Sequence, residues 1–438
     1  MGNKGSGRIS RLRRSKIGVV AVAGLAIFVD MLLYTVLLPI QPRILEASGV
    51  VEKELNYYQV MLSSVYSLGL FVATPIFGVI SDKYCNRQIP LLGGLLALTS
   101  SIMMFAFVRN IVWLIVARIL MGISAGATWV LGFAMLSDTF SPDDGLGMAI
   151  AAVMTCHTLG GFAGPLVGGF LGQYFGLQYP FYFCASLTLL DFIMRLFIKP
   201  PPPKTALSSD PSPKDGSKKA LSGYFSLLRN KDLLLSLFSI LIMSASYSSL
   251  EILMPTWLQS SPWSFDEFNS GLIMLSFILP TALVSFLTGR LSERFSRVWL
   301  IMIGLLLHGI SAPLPFSARN IAQLIVFCIF FGATAPIISS ATSTHMAAIV
   351  DKNGGQSYAR MYALFNMTWS AGSCIGPNAV QFVTSVWSLS VGMLIISSCC
   401  FIFIPILYLG SSSEALTLGE NCAASASQCT QSDEAYQA

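Results

Sequence analysis

Long apolar runs separated by short polar intervals dominate this chain, and their length is the first structural signal. Crossing the hydrocarbon of a bilayer takes about 20 residues of helix, and a helix satisfies its own backbone polar groups where no water is present. Twelve runs reach that length, at residues 17–40, 57–80, 89–108, 111–134, 147–171 and 179–198, then 232–254, 270–291, 297–316, 320–343, 359–381 and 388–409. The longest internal polar interval, 199–231, opens Lys199-Pro-Pro-Pro-Pro-Lys204 and lacks the apolar residues to bury a core. The pattern therefore predicts an all-α integral membrane protein with a basic N-terminus (1–16), a six-helix bundle (17–198), a hydrophilic linker (199–231), a second six-helix bundle (232–409) and a disordered tail (410–438).

The halves repeat one another. Gly78, Asp82, Lys83 and Arg87 follow the second run, and Gly289, Glu293, Arg294 and Arg297 follow the eighth. Gly160-x-x-x-Gly164-Pro165 in the fifth run is matched by Gly372-x-x-x-Gly376-Pro377 in the eleventh, at the same offset of about 211 residues. Two independent motifs in one register predict a pseudo-symmetric pair of bundles, the construction that supports alternating access in carriers.

Composition agrees, since only 11% of the 438 residues are charged and 54% are hydrophobic, against about 25% charged in soluble domains. The net charge of +5 lies in clusters between runs, where it reads as topology rather than as a nucleic-acid surface. Arg8, Arg11, Arg13, Arg14, Lys83, Arg87, Lys218, Lys219, Arg294, Arg297 and Lys352 fall on the linker's side, which places both termini and the linker in the cytosol. The nine cysteines and three histidines form no metal-ligand spacing, so neither metal nor cofactor is expected. A zinc-protease signature, a nucleophile elbow and a P-loop are not expected either, which argues against an enzyme and against an ATP-driven pump.

Gly78-Val-Ile-Ser-Asp82-Lys83, Arg118-x-x-x-Gly122 and Gly160-x-x-x-Gly164-Pro165-x-x-Gly168-Gly169 occur in that order. With them the chain resembles the major facilitator superfamily, and within it the twelve-span drug:proton antiporter group, over residues 15 to 410. Asp30-Met-Leu-Leu-Tyr34, Leu250-Glu251 and Pro255-x-Trp257 are similar to segments of vesicular monoamine transporters and their fungal relatives. The resemblance implies the major facilitator fold and proton-coupled efflux of a small amphipathic or cationic compound: a drug, toxin or secondary metabolite. Its last motif, Gly160, Gly164, Pro165, Gly168 and Gly169, marks antiporters in that family. Where those transporters carry acids in the tenth and eleventh spans, and a lysine in the second, this chain has Ser339, Asn366 and Tyr66, and Cys85 replaces a loop glycine.

Ionisable residues inside a span cost about 2.5–3.5 kcal/mol at mid-helix on insertion scales, so those that persist face a cavity or a partner. Asp30 suits proton exchange or cation binding, or alternatively a structural hydrogen bond. Glu251 would meet the substrate or snorkel to the interface. Arg118 needs an acceptor, and either assists coupling or bridges helices. Asp191 and Arg195 stand i,i+4 and are expected to pair. Tyr34, Tyr66, Tyr247, Phe365 and Trp369 are aromatic candidates for lining a cavity, with Ser339 and Asn366 as polar ones. Trp257 and Trp263 read as interface anchors. Gly78, Asp82, Lys83 and Arg87, echoed by Glu293 and Arg294, would latch the cytosolic side. The expected partners are a small-molecule substrate, protons and the lipid bilayer, not nucleic acid, and a monomer suffices. The plasma membrane is the expected site, with a vacuolar or vesicle membrane as the alternative. An uncoupled facilitator or amine loader and a non-transporting membrane sensor are the rival functions.

Overall fold

The computed structural model describes residues 16–83, 88–140, 145–197, 227–260, 262–352 and 358–411, and there the chain is helical. Twelve long helices run in order: α1 Lys16–Ala47, α2 Leu55–Lys83, α3 Gln88–Phe107, α4 Ile111–Thr139, α5 Leu146–Tyr174, α6 Tyr179–Phe197, α7 Lys231–Gln259, α8 Glu267–Arg294, α9 Arg297–Ser311, α10 Ile321–Lys352, α11 Tyr358–Thr384 and α12 Leu389–Gly410. Ten are long and apolar enough to span a membrane by length and composition. The two below that threshold are α6, which carries Asp191 and Arg195, and α11, which carries Arg360, Asn366, Asn378 and Gln381.

The twelve helices match the twelve runs, with two informative differences at their ends. The apolar pattern of the first run stops at residue 40, yet α1 continues through Pro39 and Pro42 to Ala47. Gln41, the polar residue that ends the run, donates to the Gln59 carbonyl and accepts from Arg118, so the amide is satisfied inside protein and the helix need not stop. The ninth run reads to residue 316, but α9 ends at Ser311, because the Pro-containing stretch that follows cannot continue the ladder and forms a 3-10 turn at Pro315–Ser317.

Two compact units divide the chain. The first comprises residues 1–222 with 251–275, and the second 223–250 with 276–438. In the first unit α1 is the hub: it is apolar all round and buried along most of its length. Small residues set its distance from α5. A Cβ on Gly160 would meet the Phe28 carbonyl oxygen at 2.5 Å, and one on Gly168 would strike that of Val36. The end of α7 and the start of α8 belong to the same unit, where Gly169 faces the Glu267 carbonyl and Gly271 faces that of Pro165. In the second unit the matching glycines of α11 do the same against α7, Gly372 against Leu241 and Ser244, and Gly376 against Ala245. The sequence repeat is thus a repeat of one helix–helix contact.

Gly122-x-Ser124-x-Gly126 spells a G-x-S-x-G string, but it lies inside α4, not at a strand-to-helix turn, and Gly122 and Gly126 pack on α2. No nucleophile elbow is formed there.

Asp191 and Arg195 pair on α6 at 2.9 Å, both buried. Arg195→Met strands a carboxylate in the interior and is expected to cost about 3 kcal/mol, whereas Asp191→Leu combined with Arg195→Met restores most of it. Thermal melting in detergent checks both.

Candidate functional site

Three buried ionisable groups lie on three helices of the first unit. Asp30 on α1 is 3% exposed, Arg118 on α4 is 0% exposed, and Glu251 on α7 is 5% exposed. Each is shielded from water, and among the described residues Asp30 and Glu251 have no salt-bridge partner. Asp30 Oδ1 lacks any hydrogen-bond partner, while the Trp129 indole of α4 lies within hydrogen-bonding reach of its carboxylate. His157 of α5 meets the Trp129 ring edge-on, with centroids 5.2 Å apart.

Tyr34 joins the groups. Its hydroxyl, one helical turn along α1 from Asp30, donates to Glu251 Oε2 at 3.2 Å, and its ring packs on Tyr66 of α2 with centroids 5.0 Å apart. Tyr66 lies within electrostatic range of Asp30, Glu251 and Arg118 together. The five residues Asp30, Tyr34, Tyr66, Arg118 and Glu251 therefore form one cluster. Glu251 does not snorkel; it is enclosed, and Tyr34 is its partner.

Arg118 finds its acceptor, and the acceptor is neutral. Its guanidinium donates to Gln41 Oε1, contacts the Met121 sulfur at 3.9 Å and lies 5.6 Å from the Phe105 ring centroid, while Nε has no partner. Gln41 passes the connection on, because its Nε2 donates to the Gln59 carbonyl of α2. The Gln59 side chain in turn donates to the Ile252 carbonyl at 2.6 Å and accepts from Thr256, both on α7. Nearby, Gln259 donates to the Pro39 carbonyl at 2.7 Å, and Arg43 pairs with Glu267 at 3.1 Å. A continuous polar thread thus ties α4, α1, α2 and the end of α7 through the apolar interior.

The remaining candidates lie in the second unit. Tyr247 is buried among Phe331, Phe277 and Trp369, with centroids 5.8, 5.9 and 6.1 Å away. Phe365 packs against the cluster around Met346, Ile349 and Leu364, Asn366 Nδ2 lacks a partner, and Ser339 is half-buried. His308 on α9 bonds Thr334 through Nδ1 at 2.8 Å, and its ring lies tilted against Phe331 with centroids 4.8 Å apart. Trp257 and Trp263, expected as interface anchors, pack on each other at 5.5 Å. Of the expected cytosolic latch, Arg87 and the side chains of Asp82, Lys83, Glu293 and Arg294 lie outside the described residues, and Gly78 sits within α2. Most of the linker and both termini lie outside them too. Among the described residues no group of three His, Cys, Asp or Glu could hold a metal.

Sequence reasoning missed Gln41, Gln59 and Trp129. A glutamine at the end of an apolar run, Gln41, and one inside a run, Gln59, were the available signals for the first two; Trp129 carries none.

Comparison with known proteins places this architecture. A family model described as the Major Facilitator Superfamily matches residues 23–268 and 260–420. An uncharacterized MFS-type transporter of Schizosaccharomyces pombe is 25% identical over 426 residues, covering 89% of this chain and 94% of its own. The bovine synaptic vesicular amine transporter is 25% identical over 337 residues, 77% of this chain but 63% of its own length. Among solved structures, the human organic anion transporter TETRAN superposes with a TM-score of 0.68 at 18% identity, over 90% of this chain and 99% of that one. A bacterial homologue of the human lysosomal transporter Spinster superposes with a TM-score of 0.70 at 14% identity, over 93% and 97%. At these identities the structures speak for the fold alone.

Proposed function

This chain belongs to the Major Facilitator Superfamily and is a multi-pass secondary transporter rather than an enzyme, and we propose that it exports a small cationic or amphipathic organic compound in exchange for protons. The single observation that carries the proposal is the pair of buried carboxylates, Asp30 and Glu251, neither of which is ion-paired with a cation among the described residues. A carboxylate in that setting holds either a proton or an organic cation, and the two compete. That competition is antiport. Tyr34 and Tyr66 add ring faces, which attract cations, and Tyr34 orients Glu251.

The similarity to amine transporters supports a cationic substrate. Ser339 and Asn366, where the resemblance calls for acids, favour the second reading, an uncoupled facilitator or a vacuolar or vesicular amine loader. For the exporter we propose the plasma membrane, with both termini cytosolic as the basic clusters suggest. The protein then works as a monomer, since one chain supplies both bundles.

Reconstituted vesicles with an acidic interior and a pH-sensitive dye test the proposal against a panel of amines, drugs and metabolites. A compound that drains the gradient only in vesicles holding the wild-type protein, and not Glu251→Gln, is the expected result. If compounds cross without moving protons, the facilitator reading replaces this one.

A further inference from the structure

We infer that Gln59 and Gln259 form a reversible clasp, each side-chain amide holding a backbone carbonyl three residues before a helix proline, and that this clasp parts whenever the transporter opens to the side remote from its linker. The inference concerns the transport cycle itself and does not depend on which compound crosses or on proton exchange.

Two helices are shared between the compact units. The division falls within α7, between Leu250 and Glu251, and within α8, between Leu275 and Ser276. Segment 251–275 therefore continues helices of the second unit while packing with the first. Either it is a permanent part of the first unit, or it is fastened there in one state of the cycle. The chemistry of the fastening favours the second.

Amide side chains tie α7 to α1 and α2. Gln59 of α2, fully buried, donates through Nε2 to the Ile252 carbonyl at 2.6 Å and accepts from Thr256 through Oε1. Gln259 of α7 donates through Nε2 to the Pro39 carbonyl of α1 at 2.7 Å. Gln41 of α1 donates to the Gln59 carbonyl at 3.3 Å, which seats α2 in the same seam. The two clasping amides reach the same kind of acceptor: Ile252 stands three residues before Pro255, and Pro39 three before Pro42. A proline inside a helix removes one bond of the ladder and displaces the turn before it, so carbonyls there are open to a partner from a neighbouring helix. The service is reciprocal, α2 to the proline turn of α7 and α7 to that of α1.

Position makes this contact a closure. Gln59 lies two turns before Tyr66 on α2, Pro39 lies beyond Tyr34 on α1, and Ile252 directly follows Glu251 on α7. The clasp thus stands between the Tyr34–Tyr66–Glu251 contacts and the helix ends remote from the linker. Arg43 and Glu267 pair at those ends, and with the Arg43 side chain 45% exposed this rim contact is the weaker one. Amide-to-carbonyl bonds suit a seam that must part, because water takes over both partners and each bond favours closure by only about fivefold.

The test is a distance measurement on the full chain in nanodiscs by pulsed electron spin resonance. Val51, between α1 and α2, and Asn269, at the start of α8, are both exposed, and nitroxides attached there through p-acetylphenylalanine leave the nine cysteines in place. The wild type should be dominated by one short distance. Gln59→Leu and Gln259→Leu should each raise the share of a second, longer distance about fivefold, and the two together about 25-fold. Thr256→Val removes one bond at nearly constant volume and should move the ratio the same way, which keeps the test open if the leucine variants do not fold. Arg195→Met, which weakens the fold away from the seam, should leave the distribution unaltered and so separates the clasp from general loosening. A single distance that none of the seam changes alters overturns the inference and makes 251–275 a fixed part of the first unit. Two distances whose ratio ignores the seam changes overturn it as well. Neither result bears on cation–proton exchange, which stands or falls on the vesicle experiment.

Discussion

Asp30→Asn is expected to abolish uphill transport, with a loss on the order of 100-fold or more, as for other positioned proton-exchanging groups, while the protein remains folded. Asparagine keeps the shape of the side chain and an oxygen toward the Trp129 indole. What it removes is ionisation. Because Asp30 Oδ1 has no partner, the aspartate bears a desolvation cost that the neutral amide largely avoids, so melting in detergent should stay level or rise. Without ionisation the residue cannot trade a proton for a cation, so a pH gradient no longer drives accumulation. Uptake and melting measured on the same preparation separate this from misfolding, since a structural Asp30 would lose both together.

Gly164→Leu is expected to prevent the first bundle from assembling. A Cβ at this position would collide with Thr35 and sit 2.9 Å from the Val36 amide nitrogen, on a helix whose backbone cannot move aside. Thr35 is itself held there, donating to the Met31 carbonyl at 2.8 Å and lying 3.3 Å from that of Gly160. Overpacking a tight core costs about 1–3 kcal/mol for small additions, and a leucine against fixed backbone exceeds that range. Gly132→Ala, on a helix position with nothing within 4 Å, is the control and should leave the melt unchanged. Size-exclusion profiles of the two variants in detergent read the outcome directly: a monodisperse Gly164→Leu protein with wild-type melting would contradict the packing argument.

The fold was legible because spanning helices declare themselves locally. Each apolar run carries its own length signal, and the paired Gly-x-x-x-Gly-Pro motifs announced a contact that recurs on α1 and on α7. Asp191 and Arg195 were equally legible, since i,i+4 spacing on a helix is a contact in itself. The cluster was only half legible. Burial of an ionisable residue in a span drew attention to Asp30, Arg118 and Glu251, but nothing local says that Tyr34 bonds a residue 217 positions away. Arg118 shows the same limit: the need for an acceptor follows from its charge, whereas the choice of Gln41 over a carboxylate is decided by how α1 and α4 pack. Helix ends erred where a polar residue was satisfied by a distant partner, as Gln41 is by Gln59.

Competition between protons and an organic cation for the same carboxylates is the central claim, and equilibrium binding of N-methyl-4-phenylpyridinium to the purified protein across pH tests it most directly. For the wild type the account predicts affinity that falls about tenfold per pH unit on the acidic limb, as expected when one proton excludes one cation. Asp30→Asn should bind more weakly or with a shallower pH dependence. Wild-type affinity that stays constant from neutral to acidic pH would contradict it, because the cation would then be bound by groups that no proton occupies.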